Sequence, residues 1–429
     1  MGAVRYRAVK GTRDLLPPES ERFADAEATA RRVFGSYGYG EARTPCLEAT
    51  DLFARSVGET TDLVHKEMYT FLDRKGRSLT LRPENTAGVV RAVIENGLAT
   101  GPMPLRLWYA GPQFRYERPQ AARYREFRQI GAELFGVPGP AAEVELLTML
   151  FAFLGALGFK ALTAALNSVG TARSRETFGK ALKAYLEPRS SGFGEDDRRK
   201  LAENPLRLFD SKDPAVRAAL EGSPRTVEFL DAESRRHHDD VRRLLAGARI
   251  PFRDEPSLVR GLDYYTRTVF EVVSADLGAQ DAILGGGRYD NLVESLGGPP
   301  LPAIGFAIGE DRLLQAAPPP APSRALLLVL PQGPEDLDEA LRLAGELRSG
   351  VSGAVEVDLL ARGFKKGMAR GNALFEEASA LGLDREKIYA VLMGPREREE
   401  GTVTVKRLAS GDQETIPRSG VAGWFEGRT

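Results

Sequence analysis

The residues best suited to chemistry lie in the segment 114–133. Five arginines and only two glutamates fall between Arg115 and Arg128. Strand-like halves flank a turn at residues 119–122, so a hairpin can bring several guanidinium groups onto one face. A guanidinium presents a rigid fork of donors that suits phosphate, and Phe127 could stack on a base. The alternative is a solvated hairpin whose arginines pair weakly with surface acids.

Three consecutive glycines and a lone cysteine are further candidates. Gly285, Gly286 and Gly287 lack the Lys-Ser/Thr that follows the glycines of a phosphate-binding loop. We therefore expect backbone to approach a ligand closely here, with a glycine bulge at a strand end as the alternative. Cys46 is predicted to be a buried thiol rather than a nucleophile. One cysteine and three histidines leave little material for a zinc site.

Composition excludes little. A net charge of −1 does not by itself indicate a nucleic-acid-binding protein, so a polyanion would have to meet local basic clusters. No apolar run approaches the roughly 20 residues that cross a bilayer. Residues 1–17 carry four basic side chains but no apolar stretch, unlike a secretory signal. We therefore expect a cytoplasmic protein with no membrane partner.

The surrounding elements predict a sheet with added helices. Apolar residues at helical spacing predict a helix from about Glu19 to Tyr37. Strand-like segments follow at residues 68–72, 78–81, 105–109 and 268–273. This pattern predicts an α+β domain with a mostly antiparallel sheet.

A proline-rich linker at residues 316–323 divides the chain, because consecutive prolines prevent helix and favour an extended spacer. Residues 1–170 and 247–315 form the predicted α+β domain, and the polar stretch 171–246 is predicted to be a helical insertion. Strand and helix patterns alternate over residues 324–429, which predicts a small α/β domain. The first helix of that domain is predicted to turn one face inward: Leu337, Leu341, Ala344 and Leu347.

Three short motifs occur in the order typical of class II aminoacyl-tRNA synthetases. Gly-Glu-Ala-Arg-Thr-Pro at residues 40–45 resembles the first, dimer-forming motif. Phe-Arg-x-Glu at residues 114–117, a loop, and Arg-x-x-x-Phe at residues 123–127 resemble the second. Gly-Phe-Ala-Ile-Gly-Glu-Asp-Arg at residues 305–312 resembles the third. Each motif is weak alone, but together they make a strong signal.

Further segments resemble the histidine-specific members of this family, at residues 258–266, 284–290, 10–17, 80–84, 204–211 and 363–367. The resemblance spans essentially the whole chain. It implies a class II synthetase-like catalytic domain and an anticodon-binding α/β domain at 324–429. It also implies ATP-dependent activation of L-histidine and its transfer to the 3′ end of tRNA(His), with AMP and diphosphate released. The implied cofactor is Mg²⁺ bound with ATP, and the implied assembly is a homodimer.

The resemblance implies that Arg115 and Arg260 are catalytic and hold the α-phosphate of ATP and the reacting carboxylate, with Arg312 at the γ-phosphate end. Both reacting groups are anionic, so fixed cations that neutralise and align them lower the barrier. The other implied ATP-binding residues are Glu117, Arg123 and Phe127. The alternative for Arg260 is an ordinary loop arginine.

The resemblance also implies a site for histidine. Glu84, Thr86 and Gln129 match positions that hold the substrate ammonium and carboxylate. Glu133 and Tyr265 match positions that read the imidazole, whose two distinct ring nitrogens distinguish histidine from apolar competitors. The remaining implied residues are Tyr264, Gly285, Gly286 and Gly287. The alternative for Glu133 is a surface acid.

Two regions are implied to contact tRNA. Arg118 and Gln120 match positions near the acceptor end, with a flexible solvated loop as the alternative. In the C-terminal domain, four cations on one stretch would meet the anticodon: Arg362, Lys365, Lys366 and Arg370. Phosphate contacts would supply affinity there, and base edges would supply specificity.

Two features depart from the pattern. Arg128 stands where most relatives carry histidine, next to Gln129. It is either a harmless variant or a cation that would oppose the substrate ammonium unless it is paired, for example with Glu126. The stretch 375–387 is also longer than expected.

Two other functions are alternatives for this sequence. One is a catalytically inert relative, such as the regulatory subunit of the histidine-biosynthetic phosphoribosyltransferase, which binds histidine or a partner but charges no tRNA. The catalytic arginines and the C-terminal domain argue against it. The other is a tRNA-binding or kinase-regulating module, which would not need residues that read an imidazole.

Overall fold

The computed structural model describes residues 6–58, 61, 63–118, 123–260, 264–274, 282–318 and 323–428. Two compact units make up the chain, one comprising residues 1–15 and 22–318 and the other residues 16–21 and 319–429. Residues 319–322 of the predicted linker lie outside the described residues.

The strands of the first unit are β1 (Gly40–Glu41), β2 (Leu47–Ala49), β3 (Tyr69–Leu72), β4 (Ser78–Leu81), β5 (Leu105–Phe114), β6 (Glu126–Phe135), β7 (Leu162–Ser168), β8 (Phe252–Asp254), β9 (Thr266–Ser274), β10 (Ala282–Arg288) and β11 (Ala303–Gly309). Within the described residues, eight of them form one sheet in the order β1-β5-β6-β11-β10-β9-β7-β8. The two outermost pairs are parallel and the others are antiparallel. The prediction of a mostly antiparallel sheet is confirmed.

The helices up to residue 318 are α1 (Glu19–Ser36), α2 (Thr50–Val57), α3 (Thr86–Glu95), α4 (Ala141–Ala156), α5 (Ala172–Leu186), α6 (Glu195–Glu203), α7 (Pro214–Leu220), α8 (Ala232–Gly247), α9 (Leu292–Ser295) and α10 (Glu310–Ala316). Helix α1 buries the apolar face that its spacing predicts, including Phe34. Phe34 packs against Trp108, Phe153 and Phe306. Burying a side chain of this size contributes roughly 1.5–3 kcal/mol. Through these contacts α1 and α4 together cover one face of the sheet.

The helices between residues 172 and 220 have a core of their own, which includes Phe178, Leu186 and Leu208. Helix α8 differs, because it contributes Val241 and Leu245 to the core that covers the large sheet. Polar sequence composition did not distinguish these two environments.

The second unit contains β12 (Arg324–Pro331), β13 (Ala354–Val357), β14 (Leu383–Met393), β15 (Thr402–Arg407) and β16 (Gln413–Pro417), with α11 (Leu337–Arg348), α12 (Phe364–Glu376), α13 (Pro395–Glu400) and α14 (Val421–Glu426). The sheet order is β13-β12-β14-β15-β16, with the first two pairs parallel. The predicted α/β architecture is confirmed.

Helix α11 corrects one detail of the predicted face. Ala344 and Leu347 are buried as predicted, together with Ala340 and Leu343. Leu341 is 40% exposed, so its predicted inward orientation is wrong. The buried stripe runs through 340, 343, 344 and 347, a spacing of three and four residues that leaves 341 on the outer side.

Three other sequence features can be compared directly with the structure. In the part of the chain that the structure describes, no helix is both long and apolar enough to cross a membrane. The Cys46 thiol is free and only partly buried, so the prediction of a buried thiol is wrong. The stretch 375–387 runs from the end of α12 into the start of β14 and buries Ala378 and Leu383 there.

Candidate active site

A cavity of about 280 Å³ opens over the centre of the large sheet. Strands β6, β9, β10 and β11 form its floor, and the loop that follows β5 forms part of its wall. Twelve of the residues implied by the family resemblance line it: Glu84, Thr86, Arg115, Glu117, Arg123, Phe127, Gln129, Arg260, Tyr264, Tyr265, Gly285 and Arg312. The fold therefore brings together residues that are up to 228 positions apart in the chain.

The other implied residues lie elsewhere. Gly286 and Gly287 are buried in β10, where a Cβ at either position would meet the backbone of a neighbouring strand. Arg118 is exposed on the loop after β5, and Gln120 lies outside the described residues. Glu133 is on β6 and does not line the cavity, but it contacts Thr86 and Tyr289, which do.

Glu133 is fully buried, so the alternative of a surface acid is wrong. Its carboxylate accepts hydrogen bonds from the Thr86 hydroxyl at 2.8 Å, the Tyr289 hydroxyl at 2.5 Å and the Tyr109 hydroxyl at 3.4 Å. Burial raises the pKa of Glu133 to about 8, although these hydrogen bonds oppose the shift. A Cβ at Gly305 would lie 1.6 Å from the Glu133 carboxylate, so glycine is required on the neighbouring strand.

Sequence reasoning missed Tyr109 and Tyr289 as partners of this carboxylate. Tyr289 follows the glycine run within a motif that the family resemblance had already singled out, so its hydroxyl was a visible candidate. Tyr109 carried no such signal. It lies on β5, where it is buried and its side chain extends below β6.

Two further polar side chains face the cavity near Glu133. The Glu84 carboxylate accepts the backbone N–H groups of Thr86 at 2.7 Å and Ala87 at 2.9 Å, at the start of α3. Burial raises the pKa of Glu84 despite these bonds. The side-chain oxygen of Gln129 is buried and has no hydrogen-bond partner among the described residues. A buried acceptor without a partner is costly, so this oxygen suits a ligand that donates a hydrogen bond.

The catalytic arginine candidates are held by acceptors at the cavity wall. Arg260 donates to Glu271 at 2.8 Å, and Glu271 pairs across the sheet with Gly285. A Cβ at Gly285 would lie 2.2 Å from the Arg260 guanidinium, so the glycine makes room for this side chain. Arg260 is therefore fixed against β10 rather than free in a loop. Glu271 is a wall residue that the sequence did not indicate.

Arg115 and Arg312 are also anchored. Arg115 donates to the Pro83 carbonyl at 2.8 Å and lies 5.2 Å from the centre of the Phe127 ring. Arg312 donates to the Ala282 carbonyl at 3.2 Å. The cavity thus carries several fixed guanidinium groups, which are suited to phosphate.

The hairpin arginines do not all converge on the cavity. Side chains alternate across a strand, so Gln129 and Glu133 face the cavity while Arg128 faces α1 on the other side of the sheet. Arg128 pairs with Glu27, and its Nε lies 3.7 Å from Glu310. The hypothesis that Arg128 places a cation in the amino-acid pocket is wrong. Its partners are Glu27 and Glu310 rather than the predicted Glu126.

A buried ion pair supports the floor from behind. Arg288, at the end of β10, donates to Glu143 on α4 at 2.7 Å, and both are fully buried. His237 of α8 and Thr268 of β9 also contact Glu143, at 2.7 and 2.9 Å. Burial alone would raise the pKa of Glu143, but Arg288 and His237 hold it down at about 2. The Glu143 carboxylate thus links α4 and α8 to β9 and to β10, the strand that contains the three glycines.

The residues that the structure describes include no group of three or more histidine, cysteine, aspartate or glutamate side chains placed to hold a metal ion. The cavity carboxylates Glu117, Glu271 and Asp311 each face an arginine instead.

A model of the histidyl-tRNA synthetase family matches residues 11–183 and 194–313, and a model of an anticodon-binding domain matches residues 327–428. The chain belongs to the histidyl-tRNA synthetase family. A curated histidine–tRNA ligase from Thermosynechococcus vestitus is 45% identical over 416 residues, which cover 96% of this chain and 94% of the relative. These matches confirm the predicted family, enzyme class and class II synthetase fold.

Solved structures agree with membership of the histidyl-tRNA synthetase family. The apo histidyl-tRNA synthetase of S. aureus is 33% identical, with a TM-score of 0.77 and coverage of 98% of this chain and 100% of that one. An ATP phosphoribosyltransferase regulatory subunit/histidyl-tRNA synthetase from Bacillus halodurans C is 24% identical, with a TM-score of 0.64 and coverage of 86% and 97%. At that identity the likeness concerns the fold alone, so it does not favour an inert relative.

Proposed function

We propose that the cavity activates L-histidine with ATP to histidyl-adenylate and transfers the histidyl group to the 3′ end of tRNA(His), releasing diphosphate and then AMP. One observation carries this proposal. Arg115, Arg260 and Arg312 line a single cavity, and the buried Glu133 contacts Thr86 and Tyr289 of its wall. The arginines suit ATP and the reacting carboxylate, and Glu133 suits an imidazole. An inert histidine-binding relative would need only Glu133 and its neighbours.

The floor of the cavity recognises the imidazole. Glu133 accepts one ring N–H, and the phenol of Tyr265 contacts the other ring nitrogen, with Tyr264 packed beside it at 4.6 Å between ring centres. Of the three glycines, Gly285 lines the cavity, and Gly287 leaves room for the Tyr265 ring to lie against the floor. An analogue without the two nitrogens would leave buried polar groups unpaired, which discriminates strongly without an editing site.

The wall of the cavity binds the ammonium and carboxylate of histidine and the phosphates of ATP. Glu84, Thr86 and Gln129 hold the ammonium and carboxylate of histidine. The carboxylate attacks the α-phosphorus of ATP, and the bond to the β-phosphate oxygen breaks. Arg115 and Arg260 neutralise and align the two anionic groups. Glu117, Arg123, Phe127 and Arg312 complete the ATP site.

Mg²⁺ is proposed to arrive with ATP, where it would neutralise phosphate oxygens. The carboxylates Glu117 and Glu271 line the cavity and offer the oxygen donors that this cation prefers. Each of them also pairs with an arginine, so they would hold the cation only together with the phosphate oxygens of ATP.

Transfer to tRNA uses two regions of the chain. Arg118 and Gln120 are assigned to the acceptor end. In the second unit, Lys365 and Lys366 are exposed on the first turn of α12 and are assigned to the anticodon. Arg362 and Arg370 pair with Asp358 and Glu356 in that unit, so we assign them the weaker share of the phosphate contacts. The chain is proposed to work in the cytoplasm, where tRNA is charged for translation.

A homodimer is proposed through the small sheet formed by β2, β4 and β3. Its register places Leu47, Ala49, Tyr69, Phe71, Leu79 and Leu81 on one face. Leu47 and Phe71 are 46% and 45% exposed. A contiguous exposed apolar face marks an interaction surface, and this one follows directly after the motif at residues 40–45.

Histidine-dependent exchange between ATP and radioactive diphosphate tests the first step, and charging of tRNA(His) tests the second. We expect both from the wild type. We expect Arg260→Ala to lower exchange by about a hundredfold or more with unchanged thermal unfolding. A matched control is Arg106→Met, which removes an arginine that pairs with Glu145 at 2.8 Å, away from the cavity. Well-folded wild-type protein without exchange would contradict the function, and exchange without charging would restrict it to adenylate formation.

A further inference from the structure

A cluster of charged side chains lies on the face of β6 opposite the cavity. Arg128 pairs with Glu27 of α1, with its Nε at 3.2 Å from the carboxylate. The same Nε lies 3.7 Å from the carboxylate of Glu310, the first residue of α10. Glu310 is fully buried, and neither of its oxygens has a hydrogen-bond partner among the described residues. Arg128 is thus the cation that faces this carboxylate.

The charged cluster also includes Asp311, the residue that follows Glu310 in α10. The backbone N–H of Arg128 donates to Asp311 at 3.3 Å, and Arg13 donates to the other oxygen of Asp311 at 2.8 Å. Asp311 and Arg312 both line the cavity. Arg128 therefore touches, through its side chain and its backbone, the two residues that precede Arg312.

Helix α10 has only seven residues, so its first turn determines where Arg312 projects. The far end of the helix is tied to α1 as well, because Arg22 donates to the Leu314 carbonyl at 2.7 Å. The first turn depends on Arg128 and Arg13. Burial raises the pKa of Glu310 to about 8 although Arg128 lowers it, so loss of that arginine would disfavour the charged form still further.

We propose that Arg128 is a positioning residue for the ATP end of the site: by lying between Glu310 and Glu27 and facing both, it holds the first turn of α10 and hence Arg312. The proposal rests on the assignment of Arg312 to ATP. Without Arg128, keeping Glu310 buried costs more free energy, because the group must either hold a proton or leave its place, and the turn that carries Arg312 shifts with it. Binding of histidine is not affected, because Gln129 and Glu133 lie on the other face of β6.

The test measures KM for ATP and KM for histidine separately in the diphosphate exchange assay. We expect Arg128→Met to raise KM for ATP about tenfold, since small displacements of a positioned group have effects of this size, and to leave KM for histidine within about twofold. The double variant Arg128→Met/Glu310→Leu removes the carboxylate together with its cation, which is milder than removing one partner. It should return KM for ATP to within about threefold of the wild type. Arg106→Met, an arginine of the neighbouring strand with an ion pair to α4, is the control.

An unchanged KM for ATP in Arg128→Met, an equal rise in both KM values, or no recovery in the double variant would overturn the proposal. If Arg128→Met does not fold, the double variant decides, because a tenfold rise in its KM for ATP would contradict the role of Glu310. Arg312→Ala separates this proposal from the assignment beneath it. If Arg312→Ala leaves KM for ATP unchanged, the ATP assignment fails; if it raises KM and Arg128→Met does not, only the positioning role fails.

Discussion

At the scale of single residues, two buried carboxylates define the two ends of the site. Glu133 has three hydroxyl donors around it, whereas Glu310 has a single nearby cation, Arg128. Burial raises the pKa of both to about 8. A carboxyl group with such a pKa changes charge near neutral pH, so its protonation and its partners decide what it can bind.

Glu133→Gln should impair recognition of histidine. The amide keeps the shape of the side chain. Its NH₂ group, however, would face hydroxyl groups that donate to the carboxylate in the wild type. It also cannot carry a negative charge, which would stabilise an imidazolium or orient a ring N–H. We expect KM for histidine to rise by roughly ten- to a hundredfold, with KM for ATP within about twofold. Steady-state exchange kinetics measure both. Glu145→Gln, a partly exposed glutamate on α4, is the control, and a wild-type KM for histidine in Glu133→Gln would refute the role.

Glu310→Gln should change how stability depends on pH. The pKa of Glu310 rises from 4.5 in the unfolded chain to about 8 in the folded one, so the folded state binds more protons between these values. Stability is therefore fully present below about pH 4.5 and is lost as the pH rises through about 8. Glu27, Asp311 and Arg128 are the charged groups that face it. Urea unfolding at pH 6 and pH 8.5 should show a smaller loss in Glu310→Gln than in the wild type, and an identical loss would contradict the assignment.

At the scale of elements, β10 is the strand on which the site depends. It lies between β9 and β11, and its glycines allow Arg260 and the Tyr265 ring to lie against it. Arg288 anchors its end to Glu143. A simple glycine bulge, the alternative for this run, explains only part of its structure. A register irregularity does follow Gly287, but the glycines themselves lie within paired strand, where side chains would have no room.

Gly285→Ala should disable adenylation without unfolding the protein. The new Cβ would meet the Arg260 guanidinium at 2.2 Å, and because a guanidinium is the end of a flexible side chain, it would swing away rather than disrupt the sheet. We expect the exchange rate to fall by about a hundredfold. Gly155→Ala on α4, where nothing lies within 4 Å of the added Cβ, should leave the rate unchanged. Equal rates for both variants would refute this reading of β10.

The small sheet formed by β2, β3 and β4 should control assembly. Leu47→Lys/Phe71→Lys places two charges on its exposed apolar face, and a buried charge without a partner opposes association. We expect the molar mass from light scattering to fall from dimer to monomer at micromolar concentration. Leu359→Lys, an exposed leucine of the second unit, is the control. A variant that remains dimeric would place the interface elsewhere.

At the scale of the whole molecule, the two units are assigned different parts of one reaction. The chemistry is assigned to the first unit and the anticodon contact to the second. Two modest contacts on one chain reinforce each other, because the second becomes intramolecular once the first has formed. The near-zero net charge of the chain hides this arrangement, since the cations are local.

Lys365→Ala/Lys366→Ala in the full chain should therefore weaken tRNA binding without affecting activation. We expect KM for tRNA in the charging assay to rise roughly three- to thirtyfold and its salt dependence to become shallower, because fewer counterions are released. Histidine-dependent exchange should match the wild type. Arg396→Ala/Lys406→Ala, two cations elsewhere in the same unit, should leave KM for tRNA nearly unchanged. A similar effect of both pairs would indicate general electrostatics rather than a site on α12.

The sequence by itself determined the element types, the antiparallel character of the sheet and the family. These follow from local periodicity and from short motifs, and α1 and the β3–β4 hairpin were predicted almost to the residue for this reason. The motifs also identified most of the residues on the cavity wall, because each motif lies next to the element that presents it.

Only the tertiary structure decided which partners those residues meet. Tyr289 and Glu133 are 156 positions apart, and Arg128 and Glu310 come from different elements. The position of Arg128 next to Gln129 in sequence predicts that it lies close to the substrate, but neighbours on a strand face opposite sides of the sheet. The sequence did not predict which elements cover the face of β6 that carries Arg128. That depends on how α1 and α10 pack against β6, which is a property of the assembled sheet and not of any local segment.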